Sequence, residues 1–168
     1  TRRNHEEFVL AHTEHSPGGV ASALLLTSHH IFVDEWHLLL EIIKRLKKDG
    51  RKVKVVDFPE YYANFFGKFI GHCLSEQYYN FVKTHPKIAS VLYAADRFES
   101  KDKIKKWLAG GNIVIANRYA SANQIHQGGK IANTKKRESF LKWLAEMEYG
   151  VFKIPPPAQK SVIPPESL

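Results

Sequence analysis

The sequence predicts an α/β fold with a parallel β-sheet flanked by helices, and three features carry this prediction. The apolar, partly β-branched run 112–116 follows Gly110-Gly111 and is typical of a buried parallel strand. A second strand pattern covers 52–58 and stops at Pro59. Segments with helical spacing of apolar residues alternate with these strands, which is the arrangement of a parallel sheet with crossover helices.

Each predicted helix has a recognisable beginning or end. Asp34 is a suitable N-cap for the first helix, and Gly50 follows its last turn. Pro86 suits the first turn of the third helix. The predicted helices cover about 34–48, 60–82 with a break near Gly67 and Gly71, 86–108 and 134–149.

The composition bounds the class of protein. The chain has 168 residues and a formal net charge of +8, which fits one globular domain with an anionic partner or a basic solvated surface. The lone Cys73 excludes an internal disulfide framework and a multi-cysteine metal site, and it suits a reducing cytoplasm. No run reaches the ~18 apolar residues of a membrane span. We therefore predict a cytoplasmic protein without a membrane segment.

The ends of the chain differ from its middle. Residues 1–33 carry a Ser-Pro-Gly-Gly break and no sustained periodicity, so we interpret them as an irregular arm that need not belong to the domain. The domain itself is predicted over 34–157, where three consecutive prolines end the regular pattern. Residues 158–168 are interpreted as a tail.

Asn117-Arg118-Tyr119, at the carboxyl end of the buried strand, is the first candidate site. Open α/β sheets bind their ligands at this edge. Arginine offers a planar fork to phosphate oxygens, and the amide- and glycine-rich stretch 124–130 is predicted as a loop that lets backbone approach a ligand. These residues predict an anion site built on Arg118.

Two further motifs lie upstream. Tyr93 and Arg97 are four residues apart on a predicted helix, so a ring and a cation share one face and could stack a base and hold a phosphate. The alternative is an ordinary amphipathic helix with a surface arginine. The segment 57–60, Asp-Phe-Pro-Glu, ends the first strand pattern, again at the ligand edge. Its alternative is a simple stop from strand to turn.

The lysine-rich runs lie at 44–54, 101–106 and 130–137. They do not interleave with the aromatic residues that usually stack bases in a nucleic-acid groove. We interpret them as solvated helix faces and termini. Nucleic acid is therefore a disfavoured partner, and a basic nucleic-acid-binding module stays as an alternative function.

Taken together and in order, these motifs resemble the thymidylate kinase family. The family pattern is a strand ending in a Phe-Pro turn, a helix with an Asp/Asn-Arg-aromatic-Glu motif, and a buried strand ending in Asp-Arg-Tyr/His before a Gln- and Gly-rich stretch. The chain shows the corresponding segments at 57–60, 96–99, 117–119 and 124–130. The resemblance covers about residues 36–157 and implies a P-loop nucleoside-monophosphate-kinase-like sheet.

The resemblance also implies a reaction and roles for particular residues. The reaction is transfer of the γ-phosphoryl group from ATP with Mg²⁺ to dTMP, giving dTDP for dTTP synthesis. The ligands would be dTMP and ATP, and a homodimer is left open. By resemblance, Arg97 and Arg118 would be the catalytic pair that holds the 5′-phosphate. The substrate-binding residues would also include Tyr93 on thymine, Gln124 along base and sugar, Phe58 beside the nucleotide, and Tyr119.

The chain departs from the family pattern at both ends. The family begins with a phosphate-binding loop, G-x-x-x-x-G-K-[ST], which cradles ATP phosphates and helps hold Mg²⁺. This motif does not occur in the sequence, and a family lid region after residue 157 is not matched either. We therefore expect a fold truncated at both ends with no more than trace kinase activity. An inactive nucleotide-binding homologue or a fragment is the alternative.

Overall fold

A computed structural model describes residues 8–12, 22–26, 33–75, 77–78 and 83–157 of the chain. The described residues form four strands and five α-helices, with a π-helical turn after the last. These elements are β1 (Phe8–His12), β2 (Ser22–Leu26), α1 (Val33–Lys48), β3 (Val53–Asp57), α2 (Phe65–Leu74), α3 (Pro86–Ala109), β4 (Ile113–Asn117), α4 (Ala120–Gly128), α5 (Thr134–Ala145) and the π-turn (Glu146–Val151). The fold is thus a helix-rich α/β arrangement.

The chain divides into two compact units. The first takes its described residues from 1–56, 105–117 and 156–168, and the second comprises 57–104 and 118–155. The sheet and α1 lie in the first unit, apart from the last residue of β3. Apart from Asn117, every residue proposed from the sequence for a ligand site lies in the second unit. The predicted tail, 158–168, lies outside the described residues.

The sheet has the strand order β1-β2-β4-β3. Strands β2 and β4 are parallel, with Ala23 opposite Val114, as the α/β prediction requires. Strands β1 and β2 are antiparallel, so the sheet is mixed and the expectation of a wholly parallel sheet is wrong for this edge. Only residues 13–21 join the two strands, which is too short for the crossover that a parallel pair needs.

Strand β4 has the burial that its sequence predicts. Val114, Ile115 and Ala116 are all buried, and Ile115 forms a core cluster with Leu39 of α1. Partly buried side chains pack against this pair, namely Ile42, Ile43, Leu46, Val53 and Ile113. Helix α1 begins within one residue of the predicted start and ends, as predicted, before Gly50, which adopts φ +74°.

The core of the second unit lies between α2 and α3. Ile70, Cys73 and Ala89 are fully buried there. Tyr61, Phe69, Leu92 and Tyr93 pack around them. Helix α2 begins later than predicted, at Phe65, because the residues after Pro59 form a turn first. It ends at Leu74, and most of the predicted extension to residue 82 lies outside the described residues.

The stretch 124–130 is helical as far as Gly128, so its prediction as a loop is wrong. Helix α4 buries its small and amide residues, Ala120, Ala122, Asn123, Gln127 and Gly128. A Cβ on Gly128 would lie 3.3 Å from Leu141 Cδ2, so glycine allows close contact with α5. Helix α5 begins at Thr134 as predicted and continues into the π-turn. Among the described helices, none combines the length and apolarity needed to cross a membrane.

Candidate functional site

The Asp-Arg-Phe-Glu motif on α3 holds the turn that follows β3. Asp96 is fully buried, and its Oδ2 accepts a hydrogen bond from the backbone N–H of Glu60 at 3.0 Å. Its Oδ1 accepts from Asn64 Nδ2 at 2.9 Å. Burial raises the pKa of Asp96, and these two hydrogen bonds partly offset that rise. Glu60 in turn pairs with Lys103 at 2.7 Å.

Glu99, the last residue of this motif, caps the beginning of α2. Its carboxylate oxygens accept from the backbone N–H groups of Phe65 at 3.2 Å and Phe66 at 2.8 Å. A negative charge at a helix N-terminus also interacts favourably with the helix dipole. The two acidic residues of the motif therefore have structural roles that its resemblance did not reveal.

Arg97 is buried, so the alternative of an ordinary helix with a surface arginine is wrong. Its guanidinium donates from Nε to Glu148 Oε2 at 3.0 Å and from Nη2 to Glu148 Oε1 at 2.6 Å. The side chains are 2% and 1% exposed. Glu148 Oε1 also accepts from Asn123 Nδ2 at 3.0 Å, so one carboxylate of the π-turn links α3 to α4. A single π-turn is often found at a functional site.

Arg118 follows β4 directly and has the left-handed backbone conformation, φ +53°. Its Nη2 donates to both carboxylate oxygens of Asp57 at 3.0 Å. The Arg118 side chain is 26% exposed and that of Asp57 is 44% exposed, so this ion pair is accessible to solvent. Arg118 Nε is buried and has no hydrogen-bond partner among the described residues. The structure therefore places an accessible cation where the sequence predicted one.

Tyr93 lies in electrostatic reach of both arginines. It packs beside Tyr61 against the α2–α3 core. Burial raises the pKa of Tyr93 to about 12, and the nearby Tyr61, Arg118 and Arg97 modify that rise. Tyr61 itself interacts with Arg118 and Asp57. Tyr93, Arg97 and Arg118, which the sequence proposed as parts of one site, thus share one neighbourhood in the second unit.

The remaining proposed residues are placed differently. Phe58 and Tyr119 are buried with ring centroids 5.7 Å apart, and the Tyr119 hydroxyl donates to the carbonyl oxygen of Pro155 at 2.9 Å. Both side chains thus belong to the buried core. Gln124 is partly buried on α4. Their proposed contacts with a substrate stay predictions, as do those of Tyr93 and the two arginines.

Ser90 and Asn123, which the sequence did not single out, are buried around α4 together with Gln127 of the stretch 124–130. Asn123 Nδ2 donates to the carbonyl oxygen of Ser90 at 3.2 Å, in addition to Glu148. Ser90 Oγ, Asn123 Oδ1 and Gln127 Oε1 are buried without a hydrogen-bond partner in the described part of the chain. Buried polar atoms are normally hydrogen-bonded, so such a group marks a place that could receive polar partners. The four-residue spacing of Asn123 and Gln127 was the available signal in the sequence.

The described residues offer no all-protein cage for the Mg²⁺ that the family resemblance implies. They contain no cluster of three or more histidine, cysteine, aspartate or glutamate side chains that could hold a metal ion. Asp57, the acid nearest Arg118, is engaged with that cation. We therefore derive no step that passes through a metal.

Comparisons with known proteins give limited information. No protein-family model matches the chain, and no curated protein matches it either. Among solved structures, the chain is similar to the thymidylate kinase from Candida albicans at 23% identity and a TM-score of 0.44. The match covers 56% of this chain and 44% of that chain. The chain thus spans less than half of that kinase, and a likeness of this extent assigns it neither an activity nor a substrate.

Proposed function

We propose that the second unit binds a nucleoside monophosphate, with dTMP as the ligand that the sequence motifs favour. The observation that carries this proposal is the setting of Arg118. Its cation follows a buried strand and stays accessible, and its buried Nε–H has no hydrogen-bond partner in the part of the chain that the structure describes. A phosphate oxygen is the natural acceptor for such a donor.

The backbone of Arg118 supports the same proposal. A left-handed conformation costs a non-glycine residue roughly 1–2 kcal/mol, and such residues cluster at ligand sites. The strand before it is buried, so the cation is held more rigidly than the surface lysines. Its partner Asp57 is almost half exposed, and exposed ion pairs contribute only about 0–1 kcal/mol. A phosphate could therefore reach Arg118 at little cost.

Other residues of the neighbourhood suit the rest of a nucleotide. Tyr93 offers a ring on which a base could stack. Ser90, Asn123 and Gln127 offer buried polar atoms that could bind the edge of a base. Arg97 is paired with Glu148, so while this ion pair stays closed Arg97 would act on the phosphate only through long-range electrostatic attraction. Arg97 and Arg118 remain the proposed catalytic pair, with Arg118 as the stronger anchor.

The family reaction is ATP-dependent phosphorylation of dTMP to dTDP, and we expect no more than trace turnover, because the sequence contains no G-x-x-x-x-G-K-[ST] motif. Such catalysis depends mostly on positioning and charge stabilisation, to which Arg118 would contribute at the acceptor phosphate. Formation of dTDP from ATP, Mg²⁺ and dTMP in a coupled assay tests it. A chain that binds dTMP without turnover would be the inactive nucleotide-binding homologue instead.

Isothermal titration calorimetry tests the binding proposal. Arg118→Ala should weaken dTMP binding about 10- to 150-fold, because a charge-assisted contact contributes about 1.5–3 kcal/mol. Thymidine, which lacks the phosphate, should bind both proteins alike. Arg51→Ala, at an exposed position of the first unit, is the matched control and should change neither affinity. An unchanged dTMP affinity in a folded Arg118→Ala protein would refute the proposal.

A further inference from the structure

We infer that Asp57 is a specificity-determining residue that competes with the ligand phosphate for Arg118. This inference rests on the proposed phosphate site. Both oxygens of its carboxylate lie 3.0 Å from one terminal nitrogen of the guanidinium. The Asp57 carboxylate is thus an anion that already occupies the accessible side of the Arg118 guanidinium, where the phosphate would bind.

Because both side chains are partly exposed, the Arg118–Asp57 ion pair can open when a phosphate competes for Arg118. Arg118 and Asp57 are 26% and 44% exposed, whereas the Arg97–Glu148 pair is 2% and 1% exposed. An exposed pair is screened by water and separates at little cost. A phosphate could therefore share or displace Asp57 at Arg118, while the buried pair keeps its geometry.

The charge of Asp57 disfavours the ligand even if its side chain moves aside. A carboxylate close to a bound phosphate repels it, and the repulsion grows with the charge on the phosphate. A second cation of this neighbourhood, Arg97, is paired with Glu148 and does not cancel this effect. Tyr61 and Tyr93 are phenols whose pKa values are raised by burial, so they stay neutral at physiological pH, and Asp96 adds a second acid beside Tyr61. Asp57 should therefore lower affinity most for the most highly charged phosphate.

Calorimetry with three ligands tests this inference on Asp57→Asn, which removes the charge and keeps the size. The ligands are thymidine, thymidine 5′-methylphosphate and dTMP, with phosphate charges of zero, −1 and about −2. We expect dTMP to bind about 5- to 30-fold more tightly to the variant than to the wild type. The singly charged ester should gain about the square root of that factor, roughly 2- to 5-fold. The affinity for thymidine should be the same in the variant and the wild type.

Asp102→Asn is the matched control, because it removes the same charge from an exposed position on α3. It should alter none of the three affinities by more than about twofold. Asp57→Ala should rank the three ligands in the same order of affinity gain as Asp57→Asn does. Agreement between the two variants would show that the gain comes from loss of the carboxylate and not from the residue that replaces it. Unchanged or weaker dTMP binding in folded Asp57 variants would overturn the inference and make Asp57 an orienting partner of Arg118.

The outcome separates this inference from the proposed function. If the wild type binds dTMP no better than thymidine, and Arg118→Ala changes neither, the phosphate site itself is wrong. If Arg118→Ala weakens dTMP binding while the Asp57 variants do not strengthen it, the site stands and only the role of Asp57 is wrong.

Discussion

Replacing Glu148 by glutamine should destabilise the protein strongly, because it leaves a buried guanidinium without a countercharge. Arg97 and Glu148 are almost fully buried and share two hydrogen bonds of 3.0 and 2.6 Å. Removing one member of a buried ion pair costs about 3–5 kcal/mol. This is a large fraction of a typical folding stability of about 5–15 kcal/mol.

The assay is urea unfolding monitored by circular dichroism. The slope of the unfolding free energy against urea concentration should be the same for all variants. Glu148→Gln should lower the unfolding free energy by about 3–5 kcal/mol and the Tm by about 6–20 °C. The double variant Arg97→Met/Glu148→Leu should recover much of this loss, since it leaves no unpaired charge. Glu41→Gln, which removes the exposed partner of Lys44, is the control and should cost less than about 1 kcal/mol.

Either of two results would show that an unpaired buried charge is not the cause of the loss. A loss below about 1 kcal/mol for Glu148→Gln would mean that Arg97 is solvated or paired elsewhere. A double variant as unstable as the single one would mean that packing in the π-turn, rather than charge, accounts for the loss.

Three further changes test other contacts of the second unit. Gly67→Ala should cost about 1–3 kcal/mol or more in urea unfolding, because the new Cβ would clash with the backbone carbonyl of Glu60. Glu99→Ala should cost about 0.5–2 kcal/mol by uncapping α2, whereas Glu138→Ala, at an exposed position of α5, should cost less than about 0.5 kcal/mol; equal losses would contradict the cap. Burial raises the pKa of Tyr93 from 10.0 to about 12, so the folded state keeps the phenol proton to a higher pH than the unfolded state does. The free energy of unfolding should therefore fall as the pH rises from 10 to 12. Tyr93→Phe should reduce that fall in a pH series of thermal melts, and an identical pH dependence would contradict it.

The elements with clear local signals were predictable from the sequence. Helix α1 is bounded by Gly50, α3 by Pro86 at its start, and β4 by its continuous apolar run, and each was placed within one or two residues. Each of these signals lies within a few residues of the helix or strand whose beginning or end it marks. A single sequence contains them in full.

The misplaced elements depend on tertiary contacts. Helix α4 has a glycine and amide residues with modest helix propensity, and it forms because its buried face packs near α5, where Gly128 permits close approach. Helix α2 begins at Phe65 because Glu99, which is more than 30 residues away in the chain, supplies the cap. Strand β1 had no sustained periodicity and pairs at the edge of the sheet.

The candidate site was partly predictable for the same reason. The position of Arg118 at the end of β4 follows from the strand itself. Its partner Asp57 is 61 residues away in the chain, and the partner of Arg97, Glu148, is 51 residues away. Nothing local pairs these charges, so the sequence could propose both arginines as phosphate ligands but could not distinguish the accessible one from the buried one.

The crystal structure of the protein with dTMP tests the central claim most directly. We expect the 5′-phosphate at Arg118, with an oxygen about 2.7–2.9 Å from a guanidinium nitrogen, and the base beside Tyr93. A phosphate bound away from Arg118, or a crystal soaked at saturating dTMP that shows no nucleotide at this site, would contradict it.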